Sequence, residues 1–146
     1  MPKRATSKER DSKAHAKAAG MRVRRQILGE AHVDAAVART KPYSRDFQDL
    51  IVTYGWGEVW TRPGLDHRTR RILVMGTMVA LGRWEEFRMH VRPALEGGFP
   101  LEEITEMLLQ QAIYCGVPAA NTAFRHLSEV IEELRGKGVK INGAIE

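Results

Sequence analysis

Arg83, Glu86 and His90 stand at positions i, i+3 and i+7. On an α-helix that spacing puts all three side chains on one face. A fixed guanidinium can hold a carboxylate, and an imidazole can carry a proton near neutral pH. An ordinary solvated face with a weak Arg–Glu pair fits the same spacing. The spacing by itself leaves both readings open.

A second group is Trp56, Glu58, Trp60 and Arg62, set in a Gly-rich stretch. Two indoles can wall off water while Arg62 clamps an anion. The indoles can equally anchor the stretch to a helical bundle or to a neighbouring subunit, and the two roles are compatible. A third feature is the turn from Tyr114 to Ala120. Its small residues permit close backbone approach, and the first amides of the following helix can face an anion. Simple helix punctuation explains the same residues. Cys115 falls on an apolar helix face, which suits an inert core thiol.

Several chemistries lack their residues. The histidines, His15, His32, His67, His90 and His126, have no second ligand at the spacing of a known metal motif. Phosphate loops, dinucleotide fingerprints and nucleophile elbows are absent from the sequence. A single cysteine excludes an intrachain disulfide or dithiol centre and suits a reducing compartment. No metal is therefore expected.

The elements that must position these residues read as helices. A helical pattern starts at Ala14 and stops at Gly29, and a short helix covers Val33 to Arg39. Pro42 closes it and Ser44 can cap the next, whose Phe47, Leu50, Ile51 and Tyr54 form an apolar stripe. An irregular aromatic stretch follows, to Gly64. Asp66 can cap a helix to Leu81 that is apolar almost all round, and hence buried on every side. Another runs from Arg83 to Glu96, with a kink or early end possible at Pro93. Pro100 opens a helix with Ile104, Met107, Leu108, Ala112 and Cys115 in phase, and Gly116 ends it. Pro118 starts the last, with Ala120, Ala123, Phe124, Leu127, Ile131 and Leu134 on one face. No segment alternates with a two-residue period. The expected fold is an all-α, single-domain bundle of about six helices. It divides into a basic, disordered arm (1–18), a helical domain (19–136) and a tail (137–146).

The chain has 146 residues and a formal charge of +5. Much of the positive charge precedes residue 30, at Lys3, Arg4, Lys8, Arg10, Lys13, Lys17, Arg22, Arg24 and Arg25. Such an arm reads as a solvated tail. With no zinc-finger spacing, RNP motif or basic-aromatic platform, no nucleic-acid partner is expected. The first twenty residues contain no apolar segment of a secretory leader. The run Ile72 to Leu81 is about half a membrane span. The expected location is cytoplasmic.

Read in order, the chain resembles the 4-carboxymuconolactone decarboxylases, within the broader alkylhydroperoxidase D-like superfamily. The likeness runs from about Gly20 to Leu134. It is carried by Met21-Arg-Val-Arg-Arg-Gln-Ile-Leu-Gly-Glu-Ala-His32-Val-Asp34, Phe47-Gln-Asp-Leu and Trp56-Gly-Glu-Val-Trp60-Thr-Arg-Pro-Gly-Leu65. It continues through Arg68-Thr-Arg70, Ala80-Leu-Gly-Arg83, His90-Val-Arg-Pro-Ala-Leu95, Glu102-Glu-Ile104 and Leu108-Leu-Gln110. It closes with Ile113-Tyr-Cys-Gly-Val-Pro-Ala-Ala-Asn121. No piece is specific alone; the ordered set is. Superfamily members that work as thiol peroxidase partners carry Cys-x-x-Cys with a histidine four residues on. Setting that histidine on His90 puts Arg83 and Glu86 where the cysteines would stand. This departure argues against redox chemistry and favours a functional reading of the three.

The resemblance implies decarboxylation of 4-carboxymuconolactone to 3-oxoadipate enol-lactone, a step in protocatechuate breakdown by the β-ketoadipate pathway. The unsaturated lactone is its own electron sink, so no cofactor is needed. The enzyme must hold the acetate arm, stabilise the developing dienolate and protonate carbon. On that expectation Arg83 and Arg62 bind anions, and His90 donates the proton with Glu86 or Glu58 orienting it. Trp60 and Tyr114 supply wall and donor groups, and His32 is a further substrate-binding residue. The resemblance also implies a homo-oligomer, a hexamer, with sites near subunit interfaces. Two other readings remain: another lactone or keto-acid enzyme on the same scaffold, or a non-catalytic helical binding module.

Overall fold

The computed structural model describes residues 6–143. Among them are seven α-helices, one 3₁₀ turn and one π-helical segment, and no strand. The all-α expectation holds. Where the sequence leads to one domain over 19–136, the chain divides into two compact units, residues 1–65 and 66–146.

The first unit holds α1 (Ser7–Leu28), α2 (Glu30–Arg39), the 3₁₀ turn Pro42–Ser44, α3 (Arg45–Leu50) and the π-helical segment Ile51–Val59. Helix α1 starts seven residues before the expected Ala14, so residues 7 to 18 are helical rather than a disordered arm. The cause is local. Thr6 and Glu9 form a reciprocal capping box, with the Thr6 amide donating to Glu9 Oε2 at 2.7 Å. Two of the helix's orphan donors are thereby satisfied before any apolar periodicity begins. Gly29, at φ 87°, ends α1 and caps α2.

The stretch from Tyr54 to Val59, expected to be irregular, is π-helical. Its reason lies in α1. A Cβ on Gly20 would sit 2.1 Å from the Val52 carbonyl oxygen, and one on Gly57 would sit 2.2 Å from that of Ala16. The two backbones touch where neither residue has a side chain. Trp56 is buried and packs against Trp60, with ring centroids 4.8 Å apart. The stripe Phe47, Leu50 and Tyr54 is exposed rather than buried in the chain. Ser44 makes no side-chain cap on α3; its hydroxyl instead receives the Lys41 amide at 3.1 Å.

The second unit holds α4 (His67–Leu81), α5 (Trp84–Glu96), α6 (Leu101–Tyr114) and α7 (Val117–Gly136). Asp66 caps α4 as expected, accepting from the Thr69 amide at 2.7 Å. Gly82, at φ 64°, closes it in the left-handed region. Helix α4 is not buried on every side: Met75, Gly76 and Val79 are buried, while Leu73 and Leu81 are exposed. Pro93 does not end α5. The core is apolar, with Met75, Phe87, Leu95, Ile104, Leu108 and Leu134 fully enclosed. Each such side chain contributes roughly 1.5–3 kcal/mol by leaving water. The tail folds back: Asn142 receives the Leu101 amide at 2.9 Å on its carbonyl, and Ile141 is buried. No helix of the described residues is long and apolar enough to cross a membrane.

Candidate active site

His90 occupies the inner face of α5 and is 5% exposed. It lies on the buried arc of Phe87, Val91, Ala94 and Leu95. Arg83 is not on that helix. It is the N-cap, at φ −91° and ψ 77°, and its side chain is exposed. Glu86 is exposed in the first turn, one turn before His90 and at the edge of the buried arc. A carboxylate there also suits the helix dipole. The side chains of Arg83 and Glu86 make no hydrogen bond or ion pair among the described residues. The three expected catalytic residues thus lie along the N-terminal half of α5 and its cap, with only the imidazole turned inward.

Tyr114, the last residue of α6, is 81% exposed. Beside it Cys115 is partly buried, and its thiol donates to Gln111 Oε1 at 2.9 Å. Gly116, at φ 93°, caps α7 without a side-chain bond. A cleft of about 310 Å³ between α4 and α6 is lined by residues including Ile72, Gly76, Met107 and Gln111. It contains none of the expected site residues.

The remaining expected residues belong to the first unit. Glu58 is exposed near the end of the π-helical segment, Trp60 is half-buried against Trp56, and Arg62 is exposed beyond. Thr61 closes this corner by donating to the Gly57 carbonyl at 2.5 Å. His32 is half-buried in the first turn of α2. Burial, then the positive charges of Arg24 and Arg39, hold its imidazole below the ordinary histidine range. It is therefore biased towards the neutral form, which can accept a proton or hydrogen bond.

Two arginines were missed by spacing arguments. Arg24 is 8% exposed, and its Nε is enclosed without an acceptor among the described residues. Arg71 of α4 has an enclosed Nη1 in the same condition. Burial lowers the pKa of both, joined at Arg24 by the charge of Arg25. A signal for Arg24 existed: it shares a helical face with Gly20, Ile27 and Leu28, all buried. Arg71 stands four and eight residues before the buried Met75 and Val79. An arginine on an apolar stripe is costly unless something anionic meets it.

No group of three or more His, Cys, Asp or Glu side chains among the described residues could hold a metal ion. The second unit thus offers a sheltered imidazole, His90, and an enclosed guanidinium, Arg71; the first offers Arg24, with no acid opposite it. Such groups can bind an anionic substrate and move a proton.

Comparison with known proteins gives the reaction class. The model of the carboxymuconolactone decarboxylase family matches residues 45–129. The 4-carboxymuconolactone decarboxylase of Acinetobacter baylyi is 38% identical over 123 residues, covering 84% of this chain and 92% of that protein. The nitrosuccinic acid decarboxylase of Metarhizium robertsii is 36% identical over 119 residues, 82% of this chain and 83% of the other. A shorter match, 40% identical over 40 residues, is to the 4-carboxymuconolactone decarboxylase of Pseudomonas putida; it covers 27% of this chain and 83% of that protein. On these matches the chain is a decarboxylase, and it belongs to the carboxymuconolactone decarboxylase family.

Proposed function

We propose that this chain decarboxylates 4-carboxymuconolactone to 3-oxoadipate enol-lactone and CO2 without a cofactor, in protocatechuate breakdown by the β-ketoadipate pathway. The observation that carries the substrate is the match to the Acinetobacter protein over nearly its whole length. The C–C bond to the ring carboxylate breaks, and its electron pair spreads through the ring double bond onto the lactone carbonyl. A proton then returns to carbon. His90 is the donor: it is an imidazole shielded from water, one turn from Glu86, and Glu86 takes the orienting role once substrate is bound. Glu58 is the other candidate for that orienting role. Arg83 and Arg62 hold the substrate's negative groups, Trp60 and Tyr114 form wall and donor groups, and His32 meets the substrate too.

The working form is a cytoplasmic homo-oligomer, a hexamer. Exposed apolar side chains on α4, α6 and α7 support this, namely Leu73, Leu109, Ile113, Tyr114 and Val117. Patches of that kind mark surfaces that associate.

The Metarhizium relative favours a second reading, decarboxylation of nitrosuccinic acid. The two substrates make similar demands. Each is a dicarboxylate, and each has a group, lactone carbonyl or nitro, that takes up the electron pair left by CO2. Purified, chelator-treated protein supplied with 4-carboxymuconolactone should release one CO2 per lactone consumed. Lactone consumed without CO2 release would point to a hydrolase or isomerase instead. An inert lactone beside a reactive nitrosuccinate would favour the second reading.

A further inference from the structure

Two consecutive arginines of α1 have different surroundings. Arg25 reaches α2 and pairs with both Glu30 and Asp34, the latter at 2.7 Å. Arg24 is more deeply buried, yet makes no hydrogen bond or ion pair among the described residues. The acids near that corner are thus already engaged by its neighbour. A single glycine, Gly29, joins α1 to α2. It brings the penultimate turn of α1, with Arg24, beside the first turn of α2, with His32. Arg39, at the far end of α2, adds positive charge that reaches the imidazole. The first turn of α2 also has no side-chain cap, because Gly29 has none to offer.

We propose that Arg24 and His32 form a carboxylate-binding site, built to take one carboxylate of a small dicarboxylic substrate. Two features carry the proposal. A guanidinium on a side chain only 8% exposed, with its Nε enclosed and no acid opposite it, is costly unless an anion arrives. A planar fork beside a half-buried imidazole is a donor set that fits a carboxylate's two oxygens. Neutral His32 gains a proton more readily once that anion is seated. The choice of a dicarboxylate rests on the decarboxylase reading; the existence of the site does not.

The test uses the full chain with ¹³C-labelled histidine, titrated with succinate as the dicarboxylate probe and with inorganic phosphate in parallel. His32 is assigned by its loss in His32→Gln. Saturating succinate should raise the pKa of His32. Arg24→Gln should weaken succinate binding by roughly tenfold or more, and Arg24→Lys should restore only part of it. Arg22→Gln, on the exposed side of α1, should bind succinate as the unaltered chain does. If Arg24→Gln fails to fold by circular dichroism, Arg24→Lys carries the comparison. A His32 titration indifferent to millimolar succinate would overturn the site, and a response to phosphate alone would overturn its carboxylate assignment. Succinate binding in a chain that leaves the lactone untouched would sink the proposed reaction and keep the site. Lactone turnover with an unchanged KM in Arg24→Lys, and no response at His32, would do the reverse.

Discussion

Two sets of arginines differ: the paired ones of α5 and α7, and the enclosed ones with no acid opposite, Arg24 in the first unit and Arg71 in the second. On α5, Arg88 meets Glu129 and also Glu133 at 2.5 Å, while Arg92 meets Glu133 at 2.6 Å and Arg125 meets Glu129 at 2.7 Å. His126 stacks on Trp84 next to this network, ring centroids 5.3 Å apart. Those cations are answered by acids of the same unit, and Arg88 and Arg92 thereby help dock α5 on α7. In the first unit Arg25 is answered in the same way, but Arg24 is largely buried, its Nε enclosed, and has no acid opposite it. A paired, half-exposed cation serves the fold at little cost. A buried cation without a partner lowers stability, and a methylene side chain in its place would raise it. The difference separates charges that hold the molecule together from charges that wait for a ligand.

The cores differ as well. The second unit packs large apolar side chains, whereas the first depends on a backbone crossing at Gly20 and Gly57. The largest expected effect therefore falls on a residue without a side chain. Gly57→Val should destabilise the first unit by about 3–5 kcal/mol, read as an early transition in denaturant. Gly64→Val, in open space, should leave that transition in place. Equal behaviour of the two variants would break the contrast between the cores.

Activity supplies the next test. His90→Gln should lower kcat by about 10²–10⁴-fold with the fold intact. Near-normal kcat across pH 6 to 8 would move the donor role to His32. The arginine contrast is sharpened by a pair of methionine substitutions. Arg88→Met should lower the melting temperature by a few degrees, because it strips Glu129 and Glu133 of a partner. Arg24→Met should leave the melting temperature unchanged or raise it, while impairing turnover.

Acid should act in two windows, one set by histidines of both units and one by Asp66. His32 is held below its ordinary value of 6.5, first by burial and then by Arg24 and Arg39. The folded chain therefore binds fewer protons there than the unfolded one, and stability falls as pH drops below that value. His126 of the second unit is shifted the same way by burial and by Arg125. His32→Gln should thus lessen the loss between pH 7 and 5.5 without abolishing it. Asp66 is held below its ordinary 3.8 by its bond from Thr69, so its contribution is present above that value and lost only in stronger acid. The smallest effect should be that of Cys115→Ser. A thiol bonded to Gln111 is replaced by a hydroxyl that can make the same bond, and activity should survive.

What could be read in advance followed local chemistry. Asp66 before α4, Gly116 before α7 and the apolar phases of α6 and α7 are written within a few residues of where they act. The start of α1 is equally local, but its capping box lies in a polar run that periodicity passes over. The π-helical segment could not be read this way. Gly55 and Gly57 argue against a helix until Gly20, far off in sequence, is brought against Gly57. At the site, the spacing of Glu86 and His90 placed them a turn apart on one helix, but not which of them turns inward. Arg83 fell outside the helix because Gly82, in the left-handed region, ends α4 beside it and Arg83 itself is the non-helical N-cap of α5. Arg24 was passed over as one charge among many in a basic stretch, although the apolar residues around it marked its face as buried.

The proposed substrate is an unsaturated lactone dicarboxylate. That assignment is tested most directly by comparing kcat/KM for 4-carboxymuconolactone and for nitrosuccinic acid, measured as CO2 release by one preparation without added metal or cofactor. The expected result is a clear preference for the lactone and one CO2 per lactone consumed. CO2 release from nitrosuccinic acid alone, or lactone consumption without CO2, would contradict it.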